Sequence, residues 1–165
     1  MAILPIIYGP APIFQQQAEP VTVFDAQLAI TLQDMADTLY HHQALGIGAN
    51  MVGLLQQLIV IDLQENGERQ LYQMVNPTVT SYGSEVGTYP EGSLSFPGIQ
   101  VAVKRPTSLV ISYQDAVGVE HKLSADGLLA RVIQHELDYL QGKTFLDAIS
   151  LTKKKILLRK IKKNR

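Results

Sequence analysis

The stretch Ser124-Ala125-Asp126-Gly127-Leu128-Leu129-Ala130-Arg131-Val132-Ile133-Gln134-His135-Glu136-Leu137-Asp138-Tyr139-Leu140-Gln141-Gly142 decides how the chain is read. It reads as a helix that starts near Ser124, which can cap it, continues through Gln141 and stops at Gly142, which fits a C′ position. Such a helix carries His135, Glu136 and Tyr139 together. A second helix is expected from Asp25 to His42, because Leu28, Leu32, Met35 and Leu39 form one apolar stripe and Asp25 suits its N-cap. Between the two helices the pattern is β. The β-branched run Leu58–Leu63 reads as a buried strand and Leu71–Val75 as its return, closed by Asn76-Pro77 because extended geometry is favoured before proline. Further strands are expected at Thr78–Tyr82, Glu85–Tyr89, Gln100–Lys104, Ser108–Gln114 and Glu120–Leu123, with a turn at Asp115–Gly118. The expected fold class is α+β: mostly antiparallel sheet around a central helix, with one helix before it and a basic helix at the C-terminus.

The 165 residues suit one domain, expected over residues 1–150, followed by a basic tail over 151–165. With 46% hydrophobic and 18% charged residues the chain can fill a core, and no apolar run approaches the roughly 18 residues of a membrane span, so no membrane partner is expected. The opening Met1-Ala2-Ile3-Leu4-Pro5 has no basic residue ahead of its apolar ones, so a secretory leader is not expected and a cytoplasmic location is. Zero cysteines exclude disulfides, thiolate metal ligands and a cysteine nucleophile. The charges are unevenly placed. Lys153 to Arg165 holds eight of the fourteen basic side chains and none of the fifteen acidic ones. Such a tail can dock on nucleic acid or another polyanion, or it can pack Ile156, Leu157, Leu158 and Ile161 on the body and leave its lysines solvated.

Three segments carry a chemical signal. His135-Glu136-Leu137-Asp138-Tyr139 opens like the metal-binding H-E-x-x-H helix, but its fifth position is a phenol, a poor ligand at neutral pH. Glu91-Gly92-Ser93-Leu94-Ser95-Phe96-Pro97-Gly98 reads alone as a strand-ending loop. Ala44-Leu45-Gly46-Ile47-Gly48-Ala49-Asn50-Met51 lacks the Gly-Lys-Ser/Thr of a phosphate loop, and its small residues allow close backbone approach. Taken in this order, the three segments resemble the peptide deformylase family, whose motifs read G-x-G-L-A-A-x-Q, E-G-C-L-S and H-E-x-D-H. The likeness extends through residues 1–150.

The resemblance implies a cytosolic hydrolase that removes formyl from N-formylmethionyl peptides. It implies a divalent ion (Fe²⁺, Ni²⁺ or Zn²⁺) held by the motif cysteine and two histidines, a glutamate that moves the proton, and an oxyanion held by a glutamine and a backbone N–H. Carried over one position at a time, it gives Glu136 as the glutamate, His135 as the first ligand and Leu94 as the backbone donor. It also implies a substrate pocket formed by Gly46, Ile47, Gly48, Glu91 and Gly92. Three positions depart: Ser93 stands for the cysteine ligand, Tyr139 for the second histidine and Met51 for the glutamine. A serine hydroxyl and a phenol are neutral at pH 7, so no tight metal binding and no cofactor are expected, and deformylation is expected to be lost or strongly impaired.

The expected role is then binding of a formyl-Met or nascent peptide, with the ribosome or RNA as partner through Lys153–Arg165. The alternatives are a metal-dependent hydrolase of weak or altered activity, with His41, His42 or His121 as substitute ligands, and a non-catalytic self-associating paralogue. A serine hydrolase built on Ser93, His135 and Glu136 is disfavoured because Glu136, adjacent to His135, is expected to point away from it. In space, Ser93, His135 and Tyr139 are expected to converge, with Met51 nearby, Glu136 lining the same cavity, and the Tyr139 hydroxyl bonded to Ser93 or Glu136.

Overall fold

The computed structural model describes residues 2–163, with side-chain surroundings described through Ile161. A strap and a 3-10 turn at Pro12–Gln15 lead into α1 (Ala26–His41), whose first turn is capped by Asp25 accepting from the Leu28 N–H at 3.0 Å. The apolar stripe of α1, Leu28, Leu32, Met35 and Leu39, is buried as its spacing predicts. Seven strands follow: β1 (Gly46–Gly48), β2 (Leu58–Ile61), β3 (Tyr72–Tyr82), β4 (Val86–Ser93), β5 (Phe96–Pro106), β6 (Ser108–Gln114) and β7 (Glu120–Asp126). They form a five-stranded antiparallel sheet in the order β1-β2-β3-β6-β7 and a separate β4–β5 hairpin. Helix α2 (Gly127–Leu140) follows β7, and α3 (Leu151–Lys163) closes the chain.

Strand β2 shows why its run is continuous in apolar residues rather than alternating. Leu58 and Val60 join a core with the α1 stripe, Phe14, Phe96 and Tyr139, while Ile59 and Ile61 join a second core with Met74, Ile111, Ile133 and Leu137. Both faces of the strand are covered, so both parities must be apolar. On α3, Ile161 is buried and Leu157 and Leu158 are half-buried against the first core, while Lys153, Lys155, Arg159 and Lys160 face solvent. The last two residues of the basic run, Asn164 and Arg165, lie outside the described residues.

Two expected boundaries are corrected. Asn76-Pro77 does not end a strand: β3 runs through it as one strand to Tyr82, with a bulge between Val75 and Thr78. Asn76 takes φ 52°, which asparagine tolerates, and its side chain bonds both the N–H and the carbonyl of Val21 and the side chain of Gln114. Nor does Ser124 cap α2. The β6–β7 ladder continues past it, pairing Val110 with Ser124 and Ser108 with Asp126. The corner falls at Gly127, which takes φ +54°. At the other end Gly142 sits where expected, at φ +77°, and a Cβ there would lie 3.0 Å from the Gln15 backbone. Gly142→Ala is therefore expected to lower stability by about 1–3 kcal/mol, read as a lower urea midpoint at unchanged slope. An unchanged midpoint would show that the Gln15 strap is not held against this corner.

Candidate active site

Helix α2 presents Leu128, Arg131, Val132, His135 and Glu136 to a pocket of about 410 Å³. The opposite walls are the edge of β1 with its preceding loop (His42 to Gly46), Met51, and β4 with its turn, from Pro90 to Leu94. Gly46 lets the strand lie on the helix, since a Cβ there would meet Val132 Cγ1 at 2.8 Å and Glu136 Cγ at 3.1 Å.

One buried carboxylate organises the site. Glu91 accepts from Arg105 Nε at 2.6 Å and Nη2 at 2.8 Å, from Arg131 Nη1 at 2.5 Å, and from His135 Nδ1 at 2.8 Å. Burial opposes its ionisation, but the bonds from Arg105 and His135 outweigh that and hold the carboxyl down at about 2. Because Glu91 is an anion, the His135 Nδ1 that faces it carries a proton, and Nε2 is the ring nitrogen on the side of Glu136. Arg105 also bonds Asp138 at 3.0 Å, and Arg131 reaches the carbonyls of Gly87 and Val103.

The expected convergence is found. Ser93 Oγ and the Tyr139 hydroxyl are 2.6 Å apart, Ser93 Oγ also accepts from the Ser95 N–H, and the Tyr139 ring packs edge-on to His135 with centroids 5.6 Å apart. Tyr139 is fully buried, its carbonyl accepts from Asn50 Nδ2, and burial pushes its phenol far above the usual range. Met51 and Leu94 line the same pocket. Glu136 does not point away from His135 as adjacency on a helix suggests: its Oε1 lies 4.0 Å from His135 Nε2, because the long side chain turns back. Its Oε2 is buried and accepts no hydrogen bond among the described residues. Burial raises the Glu136 carboxyl to about 7, against the pull of His135 and of the nearby Gly48 N–H.

Of the expected pocket residues, Gly46, Glu91 and Gly92 line the cavity. Ile47 and Gly48 do not. Ile47 has the opposite strand parity and is buried in the core with α1, and Gly48 packs behind Glu136, with Oε2 3.3 Å from where its Cβ would be. The alternative ligands do not gather either: His121 bonds Asp115 on the β6–β7 hairpin, and His41 packs against His42 at the mouth. Among the described residues no three His, Cys, Asp or Glu side chains are placed to hold a metal ion. The donors at the pocket base are one imidazole and two neutral hydroxyls bonded to each other, a set that does not fit a divalent catalytic ion. The residues missed in the sequence are Arg105 and Arg131. Arg105 had a signal: along β5 the inward positions are Ile99, Val101, Val103 and then Arg105, a charge at core parity.

A carboxyl raised from its unfolded value of about 4.5 to about 7 binds an extra proton in the native state across that window, so stability should fall as pH rises from 4.5 to 7. Glu136→Gln is expected to flatten that slope and to be more stable than the parent at pH 8 by about 1–3 kcal/mol. Urea melts at pH 4.5, 6 and 8 check this; parallel slopes in the two proteins would contradict it.

Comparison with known proteins places this geometry. The family model described as Polypeptide deformylase matches residues 3–155. A "Peptide deformylase-like" protein of Rickettsia conorii is 42% identical over 96% of this chain and 87% of its own length. A "Peptide deformylase" of Brucella suis is 39% identical over 99% of this chain and 94% of its own. Among solved structures, the peptide deformylase of Ehrlichia chaffeensis in complex with actinonin superposes with a TM-score of 0.94 at 30% identity, covering 100% of this chain and 99% of that one.

Proposed function

The chain belongs to the polypeptide deformylase family, and from that premise we propose that it keeps the family's peptide groove while the metal-dependent hydrolysis of N-formylmethionyl peptides is lost or strongly impaired. The observation that carries this reading is the 2.6 Å bond between Ser93 and Tyr139, the two positions that the motif comparison aligns with a cysteine and a histidine ligand. The two hydroxyls are bonded to each other, Ser93 Oγ also accepts from the Ser95 N–H, and burial keeps the phenol protonated. A catalytic zinc-type site takes about three protein ligands, and without the ion a water keeps its pKa of about 15.7 and is no nucleophile at pH 7. Met51 offers no amide N–H to an oxyanion, a donor whose loss costs about 10²–10³ in rate in comparable sites.

The groove supports the binding half of the reading. It runs between two strand edges, β1 at the end of its sheet and β4 of the hairpin, so an extended peptide can pair with backbone on either side. Leu45, Met51, Leu94, Leu128 and Val132 give it apolar walls. The exposed Lys153, Lys155, Arg159 and Lys160 of α3 support docking on a polyanion such as ribosomal RNA, where nascent peptides emerge, and a cytoplasmic location goes with that role. No helix among the described residues is long and apolar enough to cross a membrane.

Purified protein supplied in turn with Fe²⁺, Ni²⁺ and Zn²⁺ is expected to leave a formyl-Met peptide intact. The triple variant Met51→Gln, Ser93→Cys, Tyr139→His is expected to gain turnover by at least about 10²-fold over the parent. Appreciable turnover by the parent chain would sink the proposal, and a silent but folded triple variant would show that the groove itself is altered.

A further inference from the structure

The five-stranded sheet ends in two edges of unequal length. At one end β1, with three residues, borders the groove. At the other end β7, with seven, pairs with β6 on one side and with no strand on the other among the described residues. A free edge presents a row of unpaired N–H and C=O groups, and proteins block such edges with proline, bulges or charges. β7 has no proline, and its ladder with β6 runs through seven consecutive pairs without a shift. The Asp115 N–H donates to the Val119 carbonyl at 2.9 Å, which sets the alternation of the ladder. Val119, His121 and Leu123 then bond inward to β6, while Glu120, Lys122 and Ser124 turn their backbone groups outward. The side chains beside that edge are exposed: Val119 at 54%, with Glu120, His121 and Lys122 following it. The His121 ring leans on β6, stacked on Tyr113 at 5.4 Å with Nε2 2.8 Å from Asp115, so it does not cover the edge.

We propose that this edge pairs with the β7 edge of a second copy of the chain, antiparallel, about a two-fold axis at His121. A two-fold contact brings the strand against itself, so its own sequence must be complementary about the axis. With the axis at His121, Glu120 of each copy stands opposite Lys122 of the other, and Val119 stands opposite Leu123. Opposite charges thus meet on one face of the joined sheet and apolar side chains on the other. The backbone agrees: Glu120 and Lys122 both turn their groups outward, so each such pair exchanges two hydrogen bonds. Other axes fit worse. At Glu120 or Lys122 like charges meet, and at Leu123 the residue opposite Glu120 is Asp126. An axis at Ser124 sets Lys122 against Asp126, but it leaves Val119 exposed and carries the second strand past Gly127, where the chain turns into α2. Because β1 lies at the opposite end of the sheet, the pairing leaves both grooves open.

The test is sedimentation of the purified chain from low micromolar to near-millimolar concentration, where its mass is expected to rise toward twice that of the monomer. Lys122→Glu sets acid against acid and is expected to weaken the dimer about tenfold. Adding Glu120→Lys exchanges the two charges and is expected to restore it. The chain has no cysteine, so His121→Cys supplies a single thiol, and the axis brings the two Cα atoms to about 4.5 Å, within reach of an oxidised cross-link. Ser124→Cys, away from the axis, is expected to stay unlinked. Thermal melts report the folding of each variant, and the parent's mass is decisive even where a variant fails to fold. A parent that stays monomeric throughout overturns the proposal. So does a charge-exchanged variant that fails to recover, or a cross-link that forms faster through Ser124→Cys than through His121→Cys.

Discussion

The site hangs on the Glu91 carboxylate. It sits on β4, and the groups it holds come from β5 (Arg105) and α2 (Arg131 and His135), so one buried anion ties the two-stranded hairpin to the central helix. Burying a carboxylate is unfavourable by several kcal/mol unless its oxygens are filled with donors in good geometry, and here both are. The bidentate fork of Arg105 fixes the hairpin's angle, and Arg131 crosses to the carbonyls of Gly87 and Val103. Removing the Glu91 carboxylate would leave Arg105 with Asp138 as its one acidic partner and Arg131 with backbone carbonyls alone. The groove lies beside this node, between β1, β4 and α2.

The Ser93–Tyr139 bond is the second tie, and it has a different character. It joins the same hairpin to the same helix, but with neutral hydroxyls, deep in the core beside Phe14 and His135. Two neutral hydroxyls bonded to each other link hairpin and helix without an ion between them. The Glu91 node needs no ion either, since its charges are balanced by arginine. Strand and helix are therefore joined at two points by the chain's own side chains. That accounts physically for a site with the family's geometry around a base of different chemistry.

Much of this was legible in the sequence where one local rule governed. The α1 stripe, the β6 strand with its Asp115–Gly118 turn and the Gly142 stop each follow from a single periodicity or a single backbone requirement. The errors came where tertiary bonds overrode a local preference. Asn76-Pro77 looks like a strand end, but three side-chain bonds from Asn76 to Val21 and Gln114 carry β3 through it as a bulge. Ser124 is a good cap, but seven paired residues in the β6–β7 ladder draw it into the strand. Ile47 sits inside a motif of small residues, and strand parity sends it to the core instead of the pocket. Within the site, the convergence of Ser93, His135 and Tyr139 followed from motif order. Of the Glu91 partners, Arg105 showed only as a charge at core parity on β5, which names no partner, and Arg131 on its helix carried no spacing signal.

Glu136 is where these lines meet. A fold that needed only a packed helix at this position would gain nothing from a carboxylate: a buried group raised to about 7 reduces stability at neutral pH, and a neutral side chain of the same shape would avoid that. The Glu91 node does not require it, for Glu91 is already filled by other donors. The hydroxyl tie does not require it, for Tyr139 bonds Ser93. The neighbours of Glu136, His135 and the Gly48 N–H, pull its carboxyl down without offsetting its burial, and it borders the groove between two strand edges. A carboxyl so placed can hold or release a proton near neutral pH at the wall of the groove. Instability stored in this way is the mark of a site shaped by its ligand rather than by its fold.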